Sequence, residues 1–242
     1  MNVCVVNAGI QYYFIEYMLS LGYKIAHSPY NIQKGDNVYC LQELFPLNYG
    51  NANFIGLINT EQLTRENWLQ KIKNIVNDSK ISFTLFDYSG SNVELLKEKC
   101  NIISKVIPYC PNENEIAKLK NLISTTEKVC DLAFVGTGDR RLHVINQIRA
   151  QGITVNTILS KWGDARDIEV AKCKYLLNIH FADDFQIFEE LRCNRWMMSG
   201  MKVLSEASLY SDKIYCQENV IFFPISTLVN DVVNFVKNNK GK

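Results

Sequence analysis

Long apolar runs, an excess of charge of either sign and paired cysteine motifs are all missing from this sequence. No apolar stretch approaches the roughly 18 residues of a spanning helix, so no membrane span is expected. Lys and Arg total 26 against 25 Asp and Glu, a net charge of +1. Chains that grip a nucleic-acid backbone usually carry a basic excess, so no nucleic-acid partner is expected. Glycine and proline are scarce, 12 and 5 of 242 residues, which excludes collagen-like and low-complexity classes. None of the 8 cysteines sits in a C-x-x-C pair, and the 3 histidines (His27, His143, His180) stand apart from them, so no metal site is expected. The first residues, MNVCVVNAGI, show neither a basic n-region nor a small-residue cleavage site and read as a buried strand. The cysteines then read as reduced, core-packed thiols of a cytoplasmic protein.

What is present is an alternation. Short runs of Val, Ile, Leu and Phe predict strands at Asn2–Asn7, Lys24–His27, Asn37–Leu41, Phe54–Ile58, Ser82–Asp87, Lys105–Pro108, Leu132–Gly136, Thr154–Leu159, Tyr175–His180, Lys202–Ser205 and Val220–Phe223. Amphipathic stretches between them predict helices at Glu66–Val76, Asn92–Glu98, Glu113–Ile123, Arg140–Arg149, Asp167–Cys173, Asp184–Ser199 and Ser226–Val236. Continuous apolar strands alternating with helices mean an α/β fold with mostly parallel sheets. Ser91 and Asn112 are candidate N-caps, and Gly152 is a candidate helix C′ residue. The polar stretch Pro111–Lys128 separates two such sets. It suggests a boundary near Lys128, with Rossmann-like domains at 1–128 and 129–242.

Three places could carry chemistry. In DLAFVGTGDRR a buried strand ends in Gly136-Thr137-Gly138, and a helix with Arg140 and Arg141 begins at once. Glycines let a phosphate approach the backbone, and the helix N-terminus and guanidinium groups favour anions. A tight βα turn would use the same glycines. In the second place, the strand YLLNIH delivers His180 to its C-terminal end. The following helix carries Glu189, Glu190, Arg192, Arg195 and Trp196, and Glu206 closes the next strand. Arg192 and Arg195 are three residues apart, so the spacing predicts one shared mouth, or else a solvated face paired to Glu189. In the third, Glu61 and Asp87 follow apolar strands of the first half, where turns and caps also favour such residues.

The order NTEQL, DYSGSN, VIPYCPN, LAFVGTGDRR, WGDARD, LLNIHF and EELRCNRWMMSGMKVLSE resembles a glycosyltransferase family of large DNA viruses and some bacteria. It is similar to the GT-B group, whose two Rossmann-like domains bind a nucleotide-sugar between them. The resemblance runs from about Phe54 onward and is most specific in the second half. It implies sugar transfer from a nucleotide-diphosphate donor to a hydroxyl of a glycan, protein or other acceptor, with no catalytic metal and no further cofactor. It places Gly136, Thr137, Gly138, Arg141, Glu189, Arg192, Arg195 and Glu206 at the donor. Glu61, Asp87 and His180 become the candidate catalytic residues, and Glu61 or Asp87 would be the base of an inverting reaction. Many members carry an acidic, ribose-binding residue five positions before a small-Gly element. Here that position is Arg195, in front of Gly200, so Glu189, Glu190 or Glu206 would have to substitute. A catalytically silent nucleotide-sugar binding module is the alternative.

Overall fold

Eleven strands and seven α-helices alternate among the described residues of the computed structural model, which are 1–5, 15, 18, 19, 21–27, 32–41, 52–108 and 110–239. The chain divides into two compact units. One is Met1–Asn112 with Lys213–Tyr215, and the other is Glu113–Asp212 with Cys216–Lys242.

The first unit is built on β1 (Asn2–Val5), β2 (Lys24–Ala26), β3 (Asn37–Leu41), β4 (Phe54–Asn59), β5 (Thr84–Asp87) and β6 (Lys105–Val106), in the order β2-β1-β3-β4-β5-β6. All its strand pairings are parallel. Helices α1 (Glu66–Asp78) and α2 (Gly90–Cys100) follow β4 and β5. α1 buries Leu69 and Ile72, one helical turn apart, as its amphipathic pattern requires. α2 begins one step before the expected cap: Ser89, not Ser91, is the N-cap, and its hydroxyl accepts the Ser91 N–H. The expected end of the first strand, Val6–Asn7, and Tyr109 lie outside the described residues.

The second unit opens with α3 (Glu113–Thr125) and continues through β7 (Cys130–Val135), α4 (Asp139–Ala150), β8 (Val155–Ile158), α5 (Gly163–Ala171), β9 (Cys173–Asn178), α6 (Glu190–Met198), β10 (Val203–Glu206), β11 (Val220–Phe223) and α7 (Leu228–Asn238). Its strands order as β11-β10-β9-β7-β8, again all parallel. The core packs Leu132, Phe134, Leu177 and Leu204 of the sheet against Val144, Ile145 and Ile148 of α4 and Val232, Val233 and Val236 of α7. Both sheets are therefore Rossmann-like. Read from β2 and from β8, they share one strand order, which reverses beside the first strand of each unit, between β1 and β3 and between β7 and β9.

Several boundaries differ from the sequence reading, and three of them bear on the site. The units part at Asn112, not near Lys128, because α3 belongs with the second unit: Leu119 is buried there and Glu115 accepts from the Arg195 guanidinium at 2.7 Å. α6 starts at Glu190, not Asp184, because the intervening backbone bonds elsewhere, with Leu209 N–H donating to the Gln186 carbonyl at 2.8 Å. α5 ends at Ala171, and Cys173 already opens β9.

Candidate functional site

In open parallel sheets, ligands gather at the C-terminal edge, where the strand order reverses. In the second unit, the chain leaving β7 and the chain leaving β9 flank that point. Gly136 and Gly138 sit at φ 140° and 119°, a region that side chains rarely enter. A Cβ at Gly138 would also meet the Phe181 ring at 3.1 Å. The glycine turn therefore answers a backbone requirement whatever else it does.

Arg141 braces this turn. Its Nε donates to the Ile179 carbonyl at 2.8 Å and its Nη1 to the Thr137 carbonyl at 3.1 Å, and the guanidinium lies over the rings of Phe134 and Phe181. Burial, with the Arg192 charge nearby, pulls its pKa down to about 10, so it stays cationic at neutral pH.

His180, two residues beyond β9, is 2% exposed. Its Nε2 lies 3.0 Å from the Ala207 carbonyl, an acceptor, so this nitrogen carries the proton. Ser208 Oγ lies 3.3 Å from the same nitrogen. Nδ1 is buried with no hydrogen-bond partner. Burial holds the imidazole pKa below its ordinary value, with Glu206 pulling the other way.

Glu206 closes β10. It accepts both ends of the Arg140 guanidinium, at 2.6 and 2.9 Å, and the His180 N–H at 3.0 Å. Arg140 also donates to Asp183 Oδ1 at 2.9 Å and to the His180 carbonyl at 3.1 Å. A cavity of about 420 Å³ opens beside this cluster, lined by Arg140, His180, Asp183, Glu206 and Ser208 among others. Gly136, Arg141 and Arg192 do not line it. In the sequence, Arg140 stands out only as a companion of Arg141. Its bidentate pairing with Glu206 joins positions 66 apart, and no local signal announces it.

On α6 the two arginines part company. Arg192 is 20% exposed, donates to Asn178 Oδ1 at 3.3 Å and stands 3.7 Å from Glu189. Arg195 is 4% exposed and is held by both carboxylate oxygens of Asp167, at 2.5 and 2.9 Å, and by Glu115 at 2.7 Å. The expectation that both arginines serve one mouth, with Arg195 at the donor, is corrected: Arg195 ties α3, α5 and α6 together. Nor does Glu190 replace a ribose-binding acid. It is 1% exposed and accepts from Asn194 at 3.2 Å.

Glu61 and Asp87 belong to the first unit. Asp87 is fully buried; Asn59 Nδ2 donates to it at 2.7 Å, Asn92 Nδ2 at 2.9 Å and Ser89 N–H at 2.9 Å. The Glu61 carbonyl accepts from both asparagines, which pins the loop after β4 to the end of that strand and to α2. This cradle ties Asp87 to the turn that leads into α2. The Glu61 carboxylate is partly exposed and stands 3.8 Å from Arg65.

No family model matches the chain. It is 36% identical over 186 residues to uncharacterized protein L140 of Acanthamoeba polyphaga mimivirus, covering 75% of this chain and 59% of that protein. It is 36% identical over 157 residues to uncharacterized protein L137 of the same virus, covering 64% of this chain and 20% of that protein. Uncharacterized protein L138 is 34% identical over 185 residues, with 75% and 20% covered. The chain thus has viral relatives and spans less than two thirds of the length of each. Among the described residues, no helix is long and apolar enough to cross a membrane.

Proposed function

We propose that the chain is a glycosyltransferase of GT-B type that moves a sugar from a nucleotide-diphosphate donor to a hydroxyl acceptor in the cytoplasm of an infected host. In this reading the second unit holds the donor and the first presents the acceptor. The observation that carries the reading is the convergence of the glycine turn, Arg140, Arg141, His180 and Glu206 on the edge of the second sheet where the strand order reverses. Arg192 adds a cation whose influence reaches Arg141.

The chemistry asks for positive charge where the leaving diphosphate develops negative charge. Arg140 is locked to Glu206 in a bidentate pair. Arg192 meets its carboxylate partner only at 3.7 Å, beyond hydrogen-bond distance, so a phosphate oxygen can displace Glu189 at small cost. Arg192 therefore takes the diphosphate and Arg141 holds the turn against it, with Glu206 and His180 ordering the adjoining cavity. Positive side chains carry out the stabilisation a metal would otherwise supply, so turnover is expected to persist in a chelator.

A second reading, a silent nucleotide-sugar binding module, is favoured by one observation: Asp87, one of the two candidate bases, is buried and already accepts from Asn59, Asn92 and the Ser89 N–H. A melting-temperature screen of the full chain against nucleoside diphosphates and nucleotide-sugars tests donor binding. At least one should raise the melting temperature, and no response across the panel would overturn both readings. Slow release of free sugar from the bound donor selects the enzyme, and binding without release selects the module.

A further inference from the structure

Cys130 opens β7, Cys173 opens β9, and the register of these neighbouring parallel strands pairs the two residues directly. Paired positions on adjacent strands lie about 4.8 Å apart and send their side chains to the same face. That separation falls inside the range of roughly 4.4–6.8 Å between Cα atoms that a disulfide spans. The two thiols therefore stand side by side at the start of their strands. Cys130 also points back to the Leu132 carbonyl at 3.6 Å, and Cys173 to the Glu169 carbonyl at 3.5 Å. All eight cysteines are free thiols; Cys173 is buried and Cys130 is half-buried. Among the described residues no group of three His, Cys, Asp or Glu side chains is placed to hold a metal, so this pair lacks the further ligands that structural zinc takes.

We propose that Cys130 and Cys173 are a redox-active dithiol that closes to a disulfide on meeting a low-molecular-weight disulfide such as oxidised glutathione. Cys130 is the attacking group because it is the more exposed. The Cys173 thiol beside it, with help from the Thr154 side chain and the backbone of Leu132 and Asn156, pulls its pKa down to about 6 against the opposing effect of burial. Cys173 moves the opposite way, through the Cys130 thiol beside it and through burial. Lys128, whose Nζ donates to the Ala171 carbonyl at 2.6 Å, supplies a cation near Cys173, and Glu169 opposes it.

In the first step the Cys130 thiolate attacks one sulfur of the oxidant. An S–S bond forms to that half, and the other half leaves as a thiolate. Cys173 then gives up its proton, and its sulfur attacks Cys130, expelling the second half as a thiolate. Two protons from the protein thiols end on the two released thiolates. The cysteines lose two electrons, and the small disulfide gains them. Both cysteines open their strands at the N-terminal edge of the sheet, away from the candidate site, so the proposal stands apart from the glycosyltransferase reading.

The test equilibrates the full chain with graded ratios of oxidised to reduced glutathione, quenches in acid, alkylates the remaining thiols and maps peptides by mass spectrometry. The expected result is a protein lighter by two hydrogen atoms before alkylation, with one peptide pair joining Cys130 to Cys173 and reversal by dithiothreitol. In Cys173→Ser, Cys130 should instead accumulate as the mixed disulfide with glutathione. The wild-type map decides alone if that variant does not fold. Retention of two alkylatable thiols at Cys130 and Cys173 at the most oxidising ratio overturns the proposal, as does a link confined to other cysteines.

Discussion

Asp87 and Glu206 each close a strand at the C-terminal edge of a parallel sheet, and each is buried, yet they are held by different chemistry. Asp87 accepts from neutral donors, two asparagine amides and a main-chain N–H. Glu206 faces the Arg140 guanidinium and borders a cavity. Neutral donors that also grip the neighbouring turn fix the carboxylate to that turn and not to a ligand. A charged pair beside a cavity leaves an edge that can receive one. The same contrast recurs within α6, where Arg195 is enclosed by two carboxylates and Arg192 meets one loosely. Residue type at a strand end or helix face therefore does not mark a site. What marks it is how completely the partners occupy the side chain.

The largest effect should come from Arg195→Ala. Removing one partner of a buried ion pair strands the others, here Asp167 and Glu115, and typically costs about 3–5 kcal/mol. Urea unfolding measures it, and a loss below about 1 kcal/mol would place Arg195 with surface pairs and dissolve its contrast with Arg192.

Next is Asp87→Ala. It leaves the amides of Asn59 and Asn92 and the Ser89 N–H short of an acceptor, which should cost about 1–3 kcal/mol. Nucleotide binding by the second unit should be unchanged. Loss of binding without loss of stability would show that Asp87 does belong to the functional site.

The pH dependence of stability sharpens the second edge. Burial lowers the folded pKa of His180 below its ordinary 6.5, so the unfolded chain binds the proton more tightly. Its contribution is fully present above about 6.5 and is lost as the pH falls below that value, through the lowered pKa of the folded state. Unfolding in urea should need less denaturant at pH 5 than at pH 7, and His180→Gln should flatten that difference. An unchanged slope in the variant would assign the acid sensitivity to other groups.

Smallest in stability is Arg192→Ala. The partly exposed pair with Glu189 is worth about 0.2–1 kcal/mol, so the fold should survive nearly intact. The melting-temperature rise with nucleoside diphosphate should shrink sharply all the same. If instead Arg195→Ala, in the fraction that stays folded, loses nucleotide response while Arg192→Ala keeps it, the assignment of roles on α6 is inverted.

The strand–helix alternation was legible because it is written locally. Val-, Ile- and Leu-rich runs such as LAFVG and YLLNIH cannot be left in water, and amphipathic stretches such as Glu66–Asp78 offer one apolar stripe. Gly152 was readable for the same reason. It sits at φ 81°, and its N–H donates to the Arg149 carbonyl at 2.9 Å just past α4. The convergence of Gly136, Arg141, His180 and Glu206 was foreseeable in part, because the ends of parallel strands share one sheet edge. The roles of Arg140, Arg195 and Asp87 were not, because each depends on partners that no periodicity reaches.

By itself the sequence determined two parallel α/β sheets, the glycine turn at Gly136–Gly138 and the delivery of His180 and Glu206 to one edge, because these follow from local hydrophobic pattern and backbone geometry. Only the tertiary structure decided which charged groups stay available. Arg195 finds Glu115 across 80 positions and Asp167 across 28, and Arg140 finds Glu206 across 66. In a buried setting a charge must meet its counter-charge wherever the fold places it, and that placement is a property of packing and not of neighbouring residues.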